Sequence, residues 1–595
     1  MLLTRSPIIR QNRCLRDRPA AGRMEKEAIE AHARPGLPGR FFAAAMPGLS
    51  RHRLQGDLAA LGLCAASALL LTAAFPKIEA DYLAWGALLP LLWALNGAAP
   101  AEAFRRGWVF GLVHYASLLY WLVPTMVIYG HLPPALGVAI LFLFAAILSL
   151  LSTAPLAWAL GLAAGTPLRL LVLFPVFWVG AEYLRSFLFT GFPWELLGYS
   201  QYRRLHLIQI SDIFGVYGVS GLLALGNAAL FLGALRLRGR PWRGRPVGTR
   251  AAAAGLGAAA LLTAAAAGYG QWRLPAVDRQ AERSPRAVVA AVQGNIEQSQ
   301  KWDPAFQQAT IARYLRLSYA ALRERPELIV WPESAAPFYF LTEVPPTRAV
   351  LQGVQASGTH YLIGAPAVEA DGPKAVYFNS AFLAGPSGEV LGRYDKAHLV
   401  PFGEYTPYKE YLPFLGKMVE HVGDFVPGAV GRTLEYDGRR LGVQICYEII
   451  FPALAAAQVR SGANLLITIT NDAWYGTTAG PYQHFSLAVL RAVENRRALV
   501  RAANTGISGF IDPAGRILDP TALMTEAAVV RSLPLMEGAT VYNRLGDAAA
   551  AACLGAALLA VMAAGARRLG KRRVEPDGRK PPAPRSAGSR PQDAV

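Results

Sequence analysis

Eight apolar stretches in this chain are long enough to cross a lipid bilayer, and they restrict its folding more than any other feature. They lie at 57–75, 81–97, 107–129, 134–163, 167–189, 208–235, 250–269 and 547–566. A helical span needs roughly 20 mostly apolar residues, and a helix satisfies every backbone N–H and C=O within the segment. The second stretch is short, the fourth is long enough to tilt or to kink at Pro155, and the last two are rich in alanine. The composition, 53% hydrophobic and only 17% charged, excludes an ordinary soluble globule. A single large buried helical core is the alternative reading. Gly-x-x-x-Gly spacings at Gly107/Gly111 and Gly161/Gly165 predict close helix packing.

The basic residues orient these spans. The formal net charge is +19. Arginine is dense in residues 1–56, recurs at Arg105, Arg106 and Arg169, and clusters in "RLRGRPWRGRPVGTR" and "ARRLGKRRV". If the spans alternate, all of these fall on one side, which the positive-inside rule makes cytoplasmic, together with both termini. The charge is then topological, and nucleic acid is not an expected partner. Arg203 and Arg204 fall on the other side as exceptions, and Glu182 is a carboxylate inside the fifth span. The predicted organisation is a basic disordered tail at 1–56 (with Met46 a natural beginning), a seven-span domain at 57–269, an exported domain at 270–546, one span at 547–566, and a second basic disordered tail at 567–595.

Residues 270–546 read as alternating strands and helices, an α/β layered domain. Active residues in such folds gather just past strand ends. "ELIVWPES" ends at Glu333, "LGVQICYE" at Cys446, and "ANLLITITND" at Asn471 and Asp472. Cys446 is the only cysteine of this domain; the other three are Cys14, Cys64 and Cys553. An unpaired thiol in an oxidising compartment invites a chemical role, although free cysteine also packs as a small hydrophobe. A thiol needs a base or a cation to react. Glu333 suits a base, and "GRYDKAHLVPFGEYTPY" supplies Lys396 and a second carboxylate, Glu404. No Cys-x-x-Cys or His-Glu-x-x-His occurs, so no metal or cofactor is expected.

"WPES", "YDKAHLVPFGEY", "ICYE" and "NDAWYG", in that order, resemble the Glu-Lys-Cys signature of the nitrilase, or carbon–nitrogen hydrolase, superfamily. Joined to membrane spans, and with "VQGNIEQSQKWDP", the chain resembles that superfamily's membrane branch, the apolipoprotein N-acyltransferases. The resemblance implies an αββα sandwich beside about eight spans, in a monomer of the bacterial inner membrane with a periplasmic catalytic domain. It implies Cys446 as nucleophile, Glu333 as general base, Lys396 as oxyanion stabiliser, Glu404 as second carboxylate, and Trp302, Tyr447 and Glu448 in support. The acyl donor would be a membrane phospholipid and the acceptor the amine of a diacylglyceryl-apolipoprotein. A membrane-anchored amidase or nitrilase, and a transporter or sensor with an inactive domain, are the rivals. Local readings also stand: Glu448 as a helix cap, Trp302 as an anchor or packing residue, Glu404 as no more than a partner of Lys396, and Asn471, Asp472 and Trp474 as a structural turn. "APFYFLT" and "YLPFLGKMVEHVGDFVPG" are candidate lids or acyl-chain walls.

Overall fold

The structure, a computed structural model, describes residues 51–371, 374–407 and 424–574. The two tails, apart from their innermost residues, and most of the second candidate lid lie outside the described residues. The described residues from Gly56 on form one compact unit.

Among the described residues, six helices are long and apolar enough to cross a membrane: Gln55–Ala73, Pro134–Ala163, Pro167–Phe187, Ser211–Leu237, Thr249–Arg283 and Ala548–Leu569. Pro100–Leu118 and Leu122–Ile128 form a pair bent by 54°, which makes seven if the pair is one span. The stretch at 81–97 departs from expectation. It forms a 3-10 turn, Asp81–Trp85, and a short helix, Leu89–Leu95. It nevertheless carries the chain back, because Arg106 pairs with Asp57 and donates to the Ala94 carbonyl. The fourth stretch breaks at Ser152 rather than at Pro155 itself. Proline has no N–H for the carbonyl four residues earlier, and its ring crowds that carbonyl, here Leu151's. At Gly107 and Gly111 a Cβ would collide with Thr153 and Ser149, so these glycines admit the neighbouring helix, whereas Gly165 faces open space. Arg203 and Arg204, the exceptions to the charge pattern, pair with Glu79 and Asp81. Glu182 is buried and accepts from the Trp178 indole and the Leu197 N–H.

The helix expected at 250–269 runs on to Arg283, so the α/β region begins later than position 270. Its strands are β1 Arg286–Gln293, β2 Leu328–Val330, β3 His360–Asp371, β4 Lys374–Ala384, β5 Val390–Asp395, β6 Leu434–Tyr436, β7 Arg439–Ile445, β8 Leu465–Thr470, β9 Leu499–Ala503, β10 Gly509–Ile511, β11 Ile517–Leu518 and β12 Ala527–Pro534. They form two six-stranded sheets, ordered β12-β1-β2-β3-β4-β5 and β11-β10-β9-β8-β7-β6. The centres, β1-β2-β3 and β7-β8-β9, are parallel. Strand side chains alternate between faces. Ala287, Val289 and Ala291 therefore join Leu441, Val443, Ile445, Ile467 and Val500 in a core drawn from both sheets. Ala290 and Val292 point the other way, to Tyr314 and Val354 on helices Pro304–Ala321 and Val344–Ser357. Phe338 and Phe340 of "APFYFLT" are buried in that cluster as packing. Beyond the second sheet, helices Pro452–Arg460 and Gly480–Asn495 share a core with the membrane helices, including Phe231, and with Trp194 of the turn after Pro167–Phe187.

Candidate active site

Four strand ends converge on one pocket. The turn after β2 carries Glu333, Lys396 directly follows β5, Cys446 directly follows β7, and Asn471 and Asp472 directly follow β8. Glu333 reaches the second sheet directly: its Oε2 accepts from the Asn471 N–H at 2.9 Å and its Oε1 from the Asn379 side chain at 2.8 Å. This approach requires Gly364 on β3, where a Cβ would collide with the Pro332 carbonyl. Lys396 is 1% exposed; its Nζ lies 2.9 Å from Glu404 Oε1 and 3.6 Å from Glu333 Oε1. Burial works against this ammonium, but Glu404 and Glu333 outweigh burial and hold its pKa above the ordinary lysine value. Glu404 is fixed further by the Asn379 amide at 2.7 Å and the Val400 N–H at 2.7 Å.

Cys446 is buried and adopts φ 53°, the left-handed region that non-glycine residues seldom occupy. Such strain persists only where the surroundings impose it, and two side chains do so here. Glu448 accepts from the Ile445 N–H at 2.7 Å, the Ala397 N–H at 2.7 Å, the His398 N–H at 3.1 Å and the Tyr394 hydroxyl at 2.9 Å. It therefore ties the cysteine turn to the Lys396 loop, which is more than capping a helix. His484 Nε2 lies 3.1 Å from the Cys446 carbonyl, and its Nδ1 lies 2.9 Å from Asp472, which Arg501 holds at 2.7 Å. Burial of Asp472 is outweighed by Arg501 and His484, which keep its carboxyl below the usual range.

The thiol rests protonated: burial raises its pKa, the Glu333 carboxylate adds to the rise, and Lys396 opposes it. The arrangement suits transfer of the thiol proton to Glu333 with a fixed cation beside the developing charge.

Tyr447 extends toward the membrane part, donating to the Gly191 carbonyl at 3.2 Å and packing edge-on against Phe451. Trp302 is half-buried after the short helix Gln298–Lys301, and its side chain makes no hydrogen bond or ring contact among the described residues. Asn471 and Asp472 belong to the site rather than to a bare turn, while Trp474 packs on Tyr129. Sequence reasoning passed over Asn379, Lys301, His484, Arg501 and Gln483. Asn379 left a signal, a polar residue amid the apolar run of β4. Gln483 joins the two parts of the molecule: both indoles of Trp121 and Trp194 donate to its Oε1, at 3.0 and 2.9 Å, while its Nε2 reaches the Pro76 and Leu118 carbonyls. No group of three or more potential metal ligands occurs among the described residues.

Two family models match the chain: "Apolipoprotein N-acyltransferase N-terminal domain" over residues 67–229 and "Carbon-nitrogen hydrolase" over residues 288–538. A Geobacter metallireducens apolipoprotein N-acyltransferase is 46% identical over 500 residues, covering 84% of this chain and 94% of the relative. A Brucella melitensis protein of the same name is 37% identical over 469 residues, covering 75% and 84%. Among solved structures, Saccharomyces cerevisiae Nit3, a member of branch 10 of the nitrilase superfamily, is 21% identical with TM-score 0.34, covering 44% of this chain and 93% of that one. An amidase from Nesterenkonia sp. is 23% identical with TM-score 0.32, covering 42% and 92%.

Proposed function

Because the chain belongs to the apolipoprotein N-acyltransferase family, we propose that it moves a fatty acyl group from a membrane phospholipid, through a thioester on Cys446, to the N-terminal amine of a diacylglyceryl-apolipoprotein. The observation that carries this reading is the cluster of buried Glu333 and Lys396 with half-buried Glu404 beside a left-handed Cys446, in a domain sharing its core with membrane helices.

In the first step Cys446 Sγ attacks the ester carbonyl while its proton passes to Glu333. Lys396 faces the negative charge that develops on the carbonyl oxygen. The intermediate collapses, Glu333-H protonates the departing lysophospholipid alkoxide, and the thioester remains. In the second step the lipoprotein amine attacks the thioester and gives a proton to Glu333. The amide forms and the Cys446 thiolate leaves, regaining its proton. An amide is more stable than a thioester, so this step runs downhill.

The orientation belongs to the same proposal: an inner-membrane protein with its α/β domain periplasmic and its basic ends cytoplasmic. Two observations support opposite placement. Arg105, Arg106 and Asp57 meet at one end of the helices, near Asn96, whose side chain donates to the Pro241 carbonyl. The α/β domain meets the other end, where Lys77 donates to the Thr477 carbonyl and Thr125 to the Trp474 carbonyl. The two facing sheets with outer helices fit an αββα sandwich.

Incubation of the full-length protein with phospholipid and a diacylglyceryl lipopeptide tests the reading. The expected result is a hydroxylamine-sensitive acyl label on Cys446 and N-acylated lipopeptide, both absent from Cys446→Ala. Release of free fatty acid alone would mean a hydrolase, and N-acylation by Cys446→Ala would remove the thiol from the mechanism.

A further inference from the structure

The charges around Cys446 do not balance without a residue that has so far had no role. Glu333 and Glu404 set two carboxylates against the single ammonium of Lys396, at 3.6 and 2.9 Å. Asp472 does not alter the sum, because Arg501 pairs with it at 2.7 Å. Glu448 deepens the deficit whenever it is ionised; burial raises it to about 7, against its backbone donors, Lys396 and Tyr394. A pocket already negative resists a thiolate.

Lys301 sits at this pocket. It is 3% exposed, and its Nζ donates to the Glu333 main-chain carbonyl at 2.9 Å. No carboxylate lies within ion-pair distance of it among the described residues, and an ammonium buried without a carboxylate partner is costly. What favours its charge is the pocket: burial lowers its pKa to about 8, while Glu333 and Cys446 pull it back up. The hydrogen bond also holds the chain at Glu333, just before Ser334, which has φ 49°.

We propose that Lys301 is the second cation of the pocket, a positioning residue that balances Glu333 and Glu404 so that Cys446 can carry negative charge; this rests on the reading of Cys446 as nucleophile. With Lys301 present, two carboxylates face two ammonium groups around a neutral thiol. When the Sγ–H bond breaks, the electron pair stays on sulfur and the proton moves to a Glu333 oxygen. The sum is zero before and after. Without Lys301 both states carry one excess negative charge, and the thiolate bears the repulsion of Glu404 with only Lys396 to offset it.

The test is alkylation of Cys446 by iodoacetamide in the full-length detergent-solubilised protein, followed by peptide mass spectrometry over a pH series. At pH 7, where Lys301 is charged, Lys301→Met is expected to slow alkylation of Cys446 about tenfold. As pH rises past about 8 the wild-type ammonium loses its proton, so the gap between wild type and Lys301→Met should close. Lys301→Arg keeps its charge and should match wild type at pH 7 and outrun it above about pH 8. A ratio of Lys301→Met to wild-type rate that stays constant across the pH series would leave Lys301 a structural residue and overturn the proposal. So would a Lys301→Arg rate at pH 7 reduced as far as that of Lys301→Met. Iodoacetamide requires neither phospholipid nor lipopeptide, so the outcome is independent of whether an amine or water accepts the acyl group. A wild-type Cys446 that resists alkylation at every pH would instead sink the nucleophile reading, and this inference with it.

Discussion

Glu448→Ala removes one carboxylate that serves the N–H groups of Ile445, Ala397 and His398 and the hydroxyl of Tyr394. Glu448 is 0% exposed, so these donors lose their acceptor inside the protein. A buried donor left unpaired costs about 1–3 kcal/mol. Water entering the vacated space serves some of the four, so the expected loss is about 3–5 kcal/mol rather than the full sum. For a region the size of the α/β domain this lowers Tm by about 10 °C. Glu448→Gln keeps the volume and one acceptor oxygen but sets an amide N–H₂ against a backbone donor, for a loss of about 1–3 kcal/mol.

The two variants also differ from wild type in their pH dependence. Burial holds the Glu448 carboxyl at about 7, above its ordinary 4.5. The folded form therefore binds this proton more tightly than the unfolded chain. The group's contribution to stability is fullest below the lower value and is lost as pH rises to the upper one. Glu448→Gln has no such loss, so its deficit relative to wild type should narrow as pH rises across that window. Tryptophan fluorescence during heating in detergent measures the stability, and the hydroxylamine-sensitive label measures the cysteine turn. Glu448→Ala melting within about 2 °C of wild type and labelling normally would refute the argument that this carboxylate holds the turn.

Gln483→Leu strands two indole N–H groups and two carbonyls at the joint with the membrane helices. Thermal unfolding should show a loss of about 2–4 kcal/mol, and an unchanged melt would mean that the joint does not depend on Gln483. Lys396→Met should cut acyl-label formation by ~10²–10³, measured as a single-turnover rate; a loss under threefold would remove Lys396 from oxyanion stabilisation. Topology reporters fused after Arg240 should report the cytoplasm and those fused after Ser284 the exported side. The reverse pattern would invert the orientation.

Properties set by neighbours along the chain were legible in the sequence. Apolar length identified the helices at 134–163, 167–189 and 547–566, because a span satisfies its own backbone. Short apolar runs identified the strands just ahead of Glu333 and Cys446. The need for a cation beside a reactive thiol singled out Lys396, and Glu404 with it, which the fold then sets 2.9 Å apart. Other features depended on partners far along the chain. The stretch at 81–97 had the composition of a span, but its shape answers to Asn227 and Gln201, which bond Leu88, Ala84 and Asp81. The helix at 249–283 outran its apolar part because Tyr269 and Arg273 bind Asp212. The sequence left Glu448 open between a helix cap and a supporting site residue, and the loop at Ala397 and His398 folds over it. Nothing local in the sequence set Lys301, His484 or Gln483 apart. Hydrogen bonds and charge balance require donors and acceptors brought together in space, and only the tertiary structure supplies that proximity.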